Sequence, residues 1–284
     1  MDKIRELILI PNLKKNIDPE MLCGLVSHLT ERGCRVGVLP EYADALGYLG
    51  ERIARVTEDG DVALVLGGDG SIIEASHRLL GRHIPIVGIN YGHVGFLAEI
   101  GIGETALLDR VTDGDYTVED RMMLDAVVTG PDGEERGRFT VLNDVVLTNG
   151  PISRLISFDV CCDGVKTETC RADGMVIATP TGSTAYSLSA GGPVLDPSLA
   201  GICLTPICPH TLSSRPVIVR GDTVITLTNL NNNGASVWLN ADGRDELALD
   251  PGDTVEIRRS RYSTPLIRVR EGGFLNVLQE KLSE

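Results

Sequence analysis

Five consecutive apolar residues, Val62-Ala63-Leu64-Val65-Leu66, run without interruption into Gly67-Gly68-Asp69-Gly70-Ser71. A strand that is apolar at every position offers water no polar face, so it must be covered on both sides. That requirement predicts a parallel sheet flanked by helices, with the glycine turn at the C-terminal end of a strand. The neighbouring sequence agrees. Leu7-Ile8-Leu9-Ile10 reads as a first strand, and Met21, Leu22, Leu25, Val26 and Leu29 recur at helical spacing within residues 19–32. Residues 36–39 read as a second strand, 43–56 as a second helix and 84–89 as a further strand after an intervening helix. This alternation predicts a Rossmann-like α/β N-terminal domain with right-handed crossovers.

After about residue 115 the pattern changes. Strand candidates at 122–128, 140–147, 155–160, 175–178, 217–219, 224–227, 236–239 and 254–257 follow one another closely. Gly130-Pro131-Asp132-Gly133, Ala241-Asp242-Gly243 and Pro251-Gly252-Asp253 supply turns. The expected organisation is an α/β glycine-loop nucleotide-binding domain over 1–115 and a β-rich, sandwich-like C-terminal domain over 116–265. A closing segment, 266–284, carries Phe274, Leu275, Val277 and Leu278 along a helix and is expected to pack back on the first domain.

Charge narrows the partners. The 284 residues hold 26 basic and 40 acidic side chains, a formal net charge of −14. Nucleic acid demands a cationic face, so it is not an expected partner. A polyphosphate substrate remains compatible, because backbone N–H groups and a few arginines can reverse the local field. No apolar run approaches the roughly 20 residues that span a bilayer. The apolar run at 7–10 follows Asp2, Lys3, Arg5 and Glu6 and is too short for a signal core. A soluble, cytoplasmic chain with no membrane partner is expected. The seven cysteines include adjacent Cys161 and Cys162 but no CxxC pair, which reads as reduced thiols. His28, His77, His83, His93 and His210 lack zinc-ligand spacing, so no protein-built metal site is expected.

Four segments carry candidate chemistry. In the glycine turn, Gly67, Gly68 and Gly70 allow close backbone approach, and Ser71 with Glu74 has capping-box spacing that would start a helix there. Free N–H groups at such a terminus suit phosphate oxygens, and no Walker A lysine follows. Asp69 is the discordant residue: a carboxylate beside phosphates implies a metal or proton-transfer task, or else an exposed position in a tight turn. The segment 88–97 forms a second loop at the same strand ends, where Asn90, Gly92 and Gly95 read equally as ligand contacts or as turn residues. Asn143 and Asp144 interrupt the apolar series Val141, Leu142, Val145, Val146 and Leu147; they can grip ribose hydroxyls, or mark a solvated bulge or edge. Finally, Arg171-Ala172-Asp173-Gly174 precedes a Thr/Ser/Gly-rich stretch over 179–193. There Tyr186 offers a ring to a base or nicotinamide, and the alternative is a Ser-rich helix cap.

Gly67-Gly68-Asp69-Gly70, Asn143-Asp144, Arg171-Ala172-Asp173-Gly174, residues 179–193 and Pro209-His210-Thr211-Leu212-Ser213-Ser214-Arg215-Pro216 together resemble the NAD kinase family. The resemblance spans roughly residues 60–245 and its combined spacing is highly specific, although Gly-Gly-Asp-Gly alone also occurs in lipid kinases and resembles a phosphofructokinase loop. It implies a smaller α/β domain followed by a larger β-rich one, and an enzyme that moves the ATP γ-phosphoryl group to the adenosine-ribose 2′-hydroxyl of NAD. By the same resemblance Asp69 is the general base and Gly70 holds the loop near the ligand. Asn143 and Asp144 bind the adenosine portion, and Arg154, Arg171 and Asp173 line the site. Thr184, Ala185, Tyr186, Ser187, Leu188 and Ser189 surround the dinucleotide, with Cys208 a further lining residue. Arg244 stands where many relatives carry Gln, which leaves its contact open. The resemblance also implies a divalent ion, Mg²⁺, arriving with the nucleotide, and a homo-oligomer, dimer or tetramer. Two other readings remain at this point: a lipid or small-molecule kinase sharing the glycine loop, and a non-enzymatic nucleotide-binding regulator.

Overall fold

Strands apolar at every position end up where the sequence requires, in the interior of a parallel sheet. The computed structural model describes residues 3–15, 17–53, 55–91, 95–150, 154–211, 214–231 and 236–282. The chain divides into two units, Met1–Asp120 with Thr264–Glu284, and Arg121–Ser263.

The first unit contains β1 (Glu6–Pro11), α1 (Pro19–Glu31), β2 (Arg35–Val38), β3 (Arg55–Val56), β4 (Val62–Leu66), α2 (Asp69–Arg78), β5 (Ile86–Asn90), β6 (Ile100–Gly101) and α3 (Thr105–Thr112). The strands lie in the order β6-β5-β4-β1-β2-β3, every pairing parallel. All five residues of β4 and of β5 are buried. Asp18 starts α1 by accepting a hydrogen bond from the Glu20 N–H at 3.0 Å, and Leu22, Val26 and Leu29 form its buried stripe. The helix expected over 43–56 does not form. Its place is taken by 3-10 turns at Pro40–Tyr42 and Gly47–Arg52 and by β3. Gly50, at φ 55° and ψ −132°, leaves helical space altogether, and glycine also weakens a helix by about 1 kcal/mol relative to alanine.

The second unit is an antiparallel sandwich. It holds β7 (Thr117–Thr129), β8 (Glu135–Val141), β9 (Asp144–Asn149), β10 (Ile156–Cys162), β11 (Val165–Ala172), β12 (Gly174–Ala178), α4 (Tyr186–Ser189), β13 (Gly201–Ile207), β14 (Val217–Arg220), β15 (Ile225–Asn229), β16 (Val237–Ala241), β17 (Asp245–Leu249) and β18 (Thr254–Arg268). One sheet runs β14-β13-β12-β9-β16-β17. Opposite it, β11, β10, β15 and the first part of β18 pair in sequence, and β7 pairs with β8. Leu124, Phe158, Met175, Ile177, Leu239 and Ile257 fill the core from both layers. The apolar run over 140–147 is two strands rather than one, broken at Leu142 and Asn143. Three strands of this unit lie outside the expected strand segments: β11, β13, which is nonetheless buried, and β17. In β11 only Cys170 and Ala172 are buried, so most of the strand is polar and reads as loop.

The last helix, α5 (Phe274–Leu282), belongs to the first unit. Among the described residues no helix is long and apolar enough to cross a membrane, and all seven cysteines are free.

Candidate functional site

The glycine turn is shaped by crowding. A Cβ on Gly67 would overlap the hydroxyl of Ser71, and one on Gly95 would overlap the Asp69 carboxylate. Gly68 occupies the cap position of α2 and Asp69 is its first residue, so Ser71 is not the cap that its spacing with Glu74 predicts. The Ser71 hydroxyl instead accepts a hydrogen bond from Asn12 Nδ2 at 2.8 Å, tying the end of β1 to the turn. Asp69 is half-buried and turned back on the 88–97 loop. Its Oδ2 accepts from the Phe96 N–H at 2.9 Å, and its Oδ1 from Leu97 and Ala98 at 3.1 and 3.3 Å. A carboxylate has about four lone-pair sites, so among the described residues these three donors leave one of them, on Oδ2, open. Gly70 is exposed with open space where a side chain would stand. Gly92 and His93 lie outside the described residues.

A second carboxylate performs the same service in the β-rich unit. Asp242, in the turn after β16 at φ 52°, accepts from the backbone N–H groups of Leu142, Asn143 and Asp144 at 2.7, 2.8 and 3.1 Å. This is why the apolar run breaks there: Leu142, Asn143 and Asp144 donate to a side chain instead of a neighbouring strand. The Asn143 carbonyl accepts from Thr179 N at 2.8 Å, and a Cβ on Gly182 would overlap that carbonyl. Asp144 is 6% exposed. Burial, and then the nearby charge of Asp242, push its carboxyl up to about 7. It is neither the solvated bulge nor the edge residue that the sequence leaves open.

Asn143, Asp144, Ala185, Tyr186, Trp238 and Asp242 line a cavity of about 440 Å³. Tyr186 keeps 46% of its surface free, so its ring is available for stacking. Asn240 and Glu246 add polar groups to the same wall. A second cavity, of about 250 Å³ in the first unit, is walled mainly by apolar groups such as Met21, Leu25, Ile89 and Leu108, with His28, Tyr91, Glu104 and Thr105 also on its lining.

The remaining candidates are dispersed within the second unit. Thr184 donates to the Thr181 carbonyl at 3.1 Å. Ser187 is fully buried and hydrogen-bonded to Thr205 at 2.9 Å, so its side chain is directed into the core. Leu188 is half-buried and Ser189 exposed at the end of α4, a helix of only four residues. Asn149 Nδ2 joins the Arg154 carbonyl and Asp173 Oδ1, both at 3.3 Å, which groups those two residues. Arg171 is exposed on β11, and its carbonyl accepts from His210 N at 2.8 Å. Cys208, at φ 45°, and Arg244 are both exposed. None of these nine candidates lines the 440 Å³ cavity. Leu212 and Ser213 lie outside the described residues. Asp242, Trp238, Asn240 and Glu246 were not anticipated as site residues; the Asp-Gly turn at 242–243 was visible, but its carboxylate's reach to residues 142–144 was not. No group of three or more His, Cys, Asp or Glu side chains able to hold a metal is gathered among the described residues.

Known proteins match the whole arrangement. The ATP-NAD kinase N-terminal domain matches residues 25–116, and the ATP-NAD kinase C-terminal domain residues 142–269. An NAD kinase of Natranaerobius thermophilus is 40% identical over 286 residues, covering 99% of this chain and 98% of that protein. Its counterpart in Syntrophotalea carbinolica is 44% identical over 261 residues, 91% of each. Among solved structures, yeast NADH kinase complexed with NADH superimposes with a TM-score of 0.88 at 25% identity, covering 99% of this chain and 88% of that one. The fold and the family matches define a nucleotide-dependent phosphotransferase. The chain belongs to the NAD kinase family, and its activity is the ATP-dependent phosphorylation of NAD to NADP.

Proposed function

We propose that Asp69 is the general base of this reaction and that Asn143 and Asp144 hold the adenosine portion of NAD. The observation that carries the reading is the single open lone pair on Asp69. The amides of residues 96–98 fix the carboxylate's orientation, and the remaining Oδ2 site accepts the ribose 2′-hydroxyl proton as that oxygen attacks the γ-phosphorus of ATP. ADP leaves. Asp144 and Asn143 take the other ribose hydroxyl and the base edge, while Tyr186 stacks on a ring of the dinucleotide. Arg154, Arg171 and Asp173 contact the remaining polar groups, and Thr184, Ala185, Ser187, Leu188 and Ser189 shape the surrounding wall. Gly70 leaves room for phosphate, and Cys208 and Arg244 are outer contacts.

The ion in this reading is Mg²⁺ bound to the triphosphate, which neutralises charge as the γ-phosphoryl group moves. The chain works in the cytoplasm as a homo-oligomer, a dimer or tetramer, with no nucleic-acid partner. The nucleotide-loop and NAD-binding roles divide at the boundaries expected from sequence, near 115 and 265. Separate assays with NAD, NADH or diacylglycerol as acceptor and ATP or polyphosphate as donor, read by product mass, test substrate range. Asp69→Asn keeps the shape and removes the base. It is expected to lower kcat by about 10²–10⁴-fold at saturating substrates, with NAD binding retained. A folded variant with wild-type kcat would remove Asp69 from the role.

A further inference from the structure

The residue following the three amides that hold Asp69 is itself a buried acid. Glu99 is 5% exposed, and both its oxygens are engaged by the returning C-terminal segment. Oε1 accepts from the Val269 and Arg270 N–H groups at 2.8 and 2.7 Å, and Oε2 from Arg268 Nη1 at 2.8 Å. Its carbonyl accepts from Arg270 Nε at 2.8 Å, and its own N–H donates to Gly88 at 3.1 Å. At the other end of the triplet, the ring of Phe96 itself meets Phe274 of α5 with centroids 6.4 Å apart, and Arg268 Nη2 reaches the Phe96 carbonyl at 3.4 Å. The turn over 95–99 is therefore gripped from two sides, by Asp69 and by residues 268–274.

A turn whose three amides all point at one carboxylate needs both ends fixed, because rotating any peptide plane removes a donor. Burying Glu99 is costly unless its charge is fully satisfied. Here two amides and a guanidinium satisfy it, so breaking one partnership is unfavourable and the register is strongly specified. We propose that Glu99 and Phe274 are positioning residues for the reaction: they brace the 96–98 amides that aim Asp69, and so couple the C-terminal segment to the reactive carboxylate. The proposal rests on Asp69 being the general base. Neither residue need touch substrate.

Glu99→Gln replaces one oxygen by an NH₂ that faces the Arg268 guanidinium, donor against donor. Phe274→Ala removes only the ring contact, in a residue that carries no charge, and keeps the test available if the first variant fails to fold. Each is measured in the full chain by kcat, by KM for NAD and ATP, and by hydrogen–deuterium exchange at residues 96–98. The expected result is faster exchange at those amides and a kcat lowered by about 10–100-fold in Glu99→Gln, with less effect in Phe274→Ala and both KM values within about twofold. Phe274→Tyr, which keeps the ring, is expected to restore kcat. Unchanged exchange in the folded variants overturns the brace. Faster exchange with wild-type kcat, or a loss confined to KM, overturns its claim to position the reaction. The Asp69→Asn assay reports separately on the general-base reading, since exchange at 96–98 in the Glu99 and Phe274 variants does not depend on it.

Discussion

Asp144 carries an unusual charge state into the site. An aspartate titrating near 7 keeps its proton in the folded chain over a range where the unfolded chain has lost it. Between its ordinary value of 3.8 and about 7 the folded state therefore binds more protons, and stability falls as pH rises through that window. Asp144→Asn removes the titration. The ligand-free variant is expected to melt above wild type at pH 8, with the advantage disappearing near pH 4, while its NAD affinity drops because the amide replaces one acceptor oxygen with a donor. Thermal unfolding at pH 4, 6 and 8 together with calorimetric NAD titration measures both. A variant less stable than wild type at pH 8 would mean that the carboxylate is a stabilising charge. At this scale much was legible. Asp69, Asn143, Asp144 and Tyr186 stood out as polar or aromatic residues set in glycine-rich or apolar surroundings. Glu99 and Asp242 did not, because their importance lies in the distant amides that they accept from.

Elements were legible where burial made a pattern. Strands β4 and β5 are buried throughout, β4 with apolar residues alone, and α1 shows its stripe through Leu22, Val26 and Leu29. The pattern failed where an element is mostly exposed, as in β11, or where glycine conformation decides, as at Gly50. A short-range signal for β11 existed: Asp163 and Gly164 both have positive φ, the two-residue hairpin turn favoured by Asp-Gly. In the connection following β12, packing constrains the segment proposed to bind NAD. Gly182 lies against the carbonyl of Asn143, a backbone atom that cannot swing away. Gly182→Ala is expected to push the 142–144 segment aside, lower stability by about 1–3 kcal/mol and weaken NAD binding, with the secondary-structure content unchanged. Denaturant unfolding and NAD titration check it, and an alanine variant with wild-type affinity would show that the segment tolerates the displacement.

For the molecule as a whole, the formal charge of −14 opposes its own polyanionic substrates at long range. Screening that repulsion should help: the KM for MgATP is expected to fall by about two- to threefold as ionic strength rises from about 0.01 to 0.15 M at fixed free Mg²⁺. A KM that rises with salt would mean that local cations, not the overall field, govern encounter. The acidic excess is also not all surface charge, since Asp69, Glu99 and Asp242 each serve as anchors for backbone amides. Asp69 and Asp242 each dictate the path of a triplet that lies 27 to 29 and 98 to 100 residues away along the chain. The instructions for those turns are thus stored outside them. A chimera built by exchanging residues 95–99 or 142–144 between relatives should inherit the turn only when the matching acid at 69 or 242 travels with it or is already present. Crossovers falling within either interval would then yield proteins with intact strands and misdirected loops.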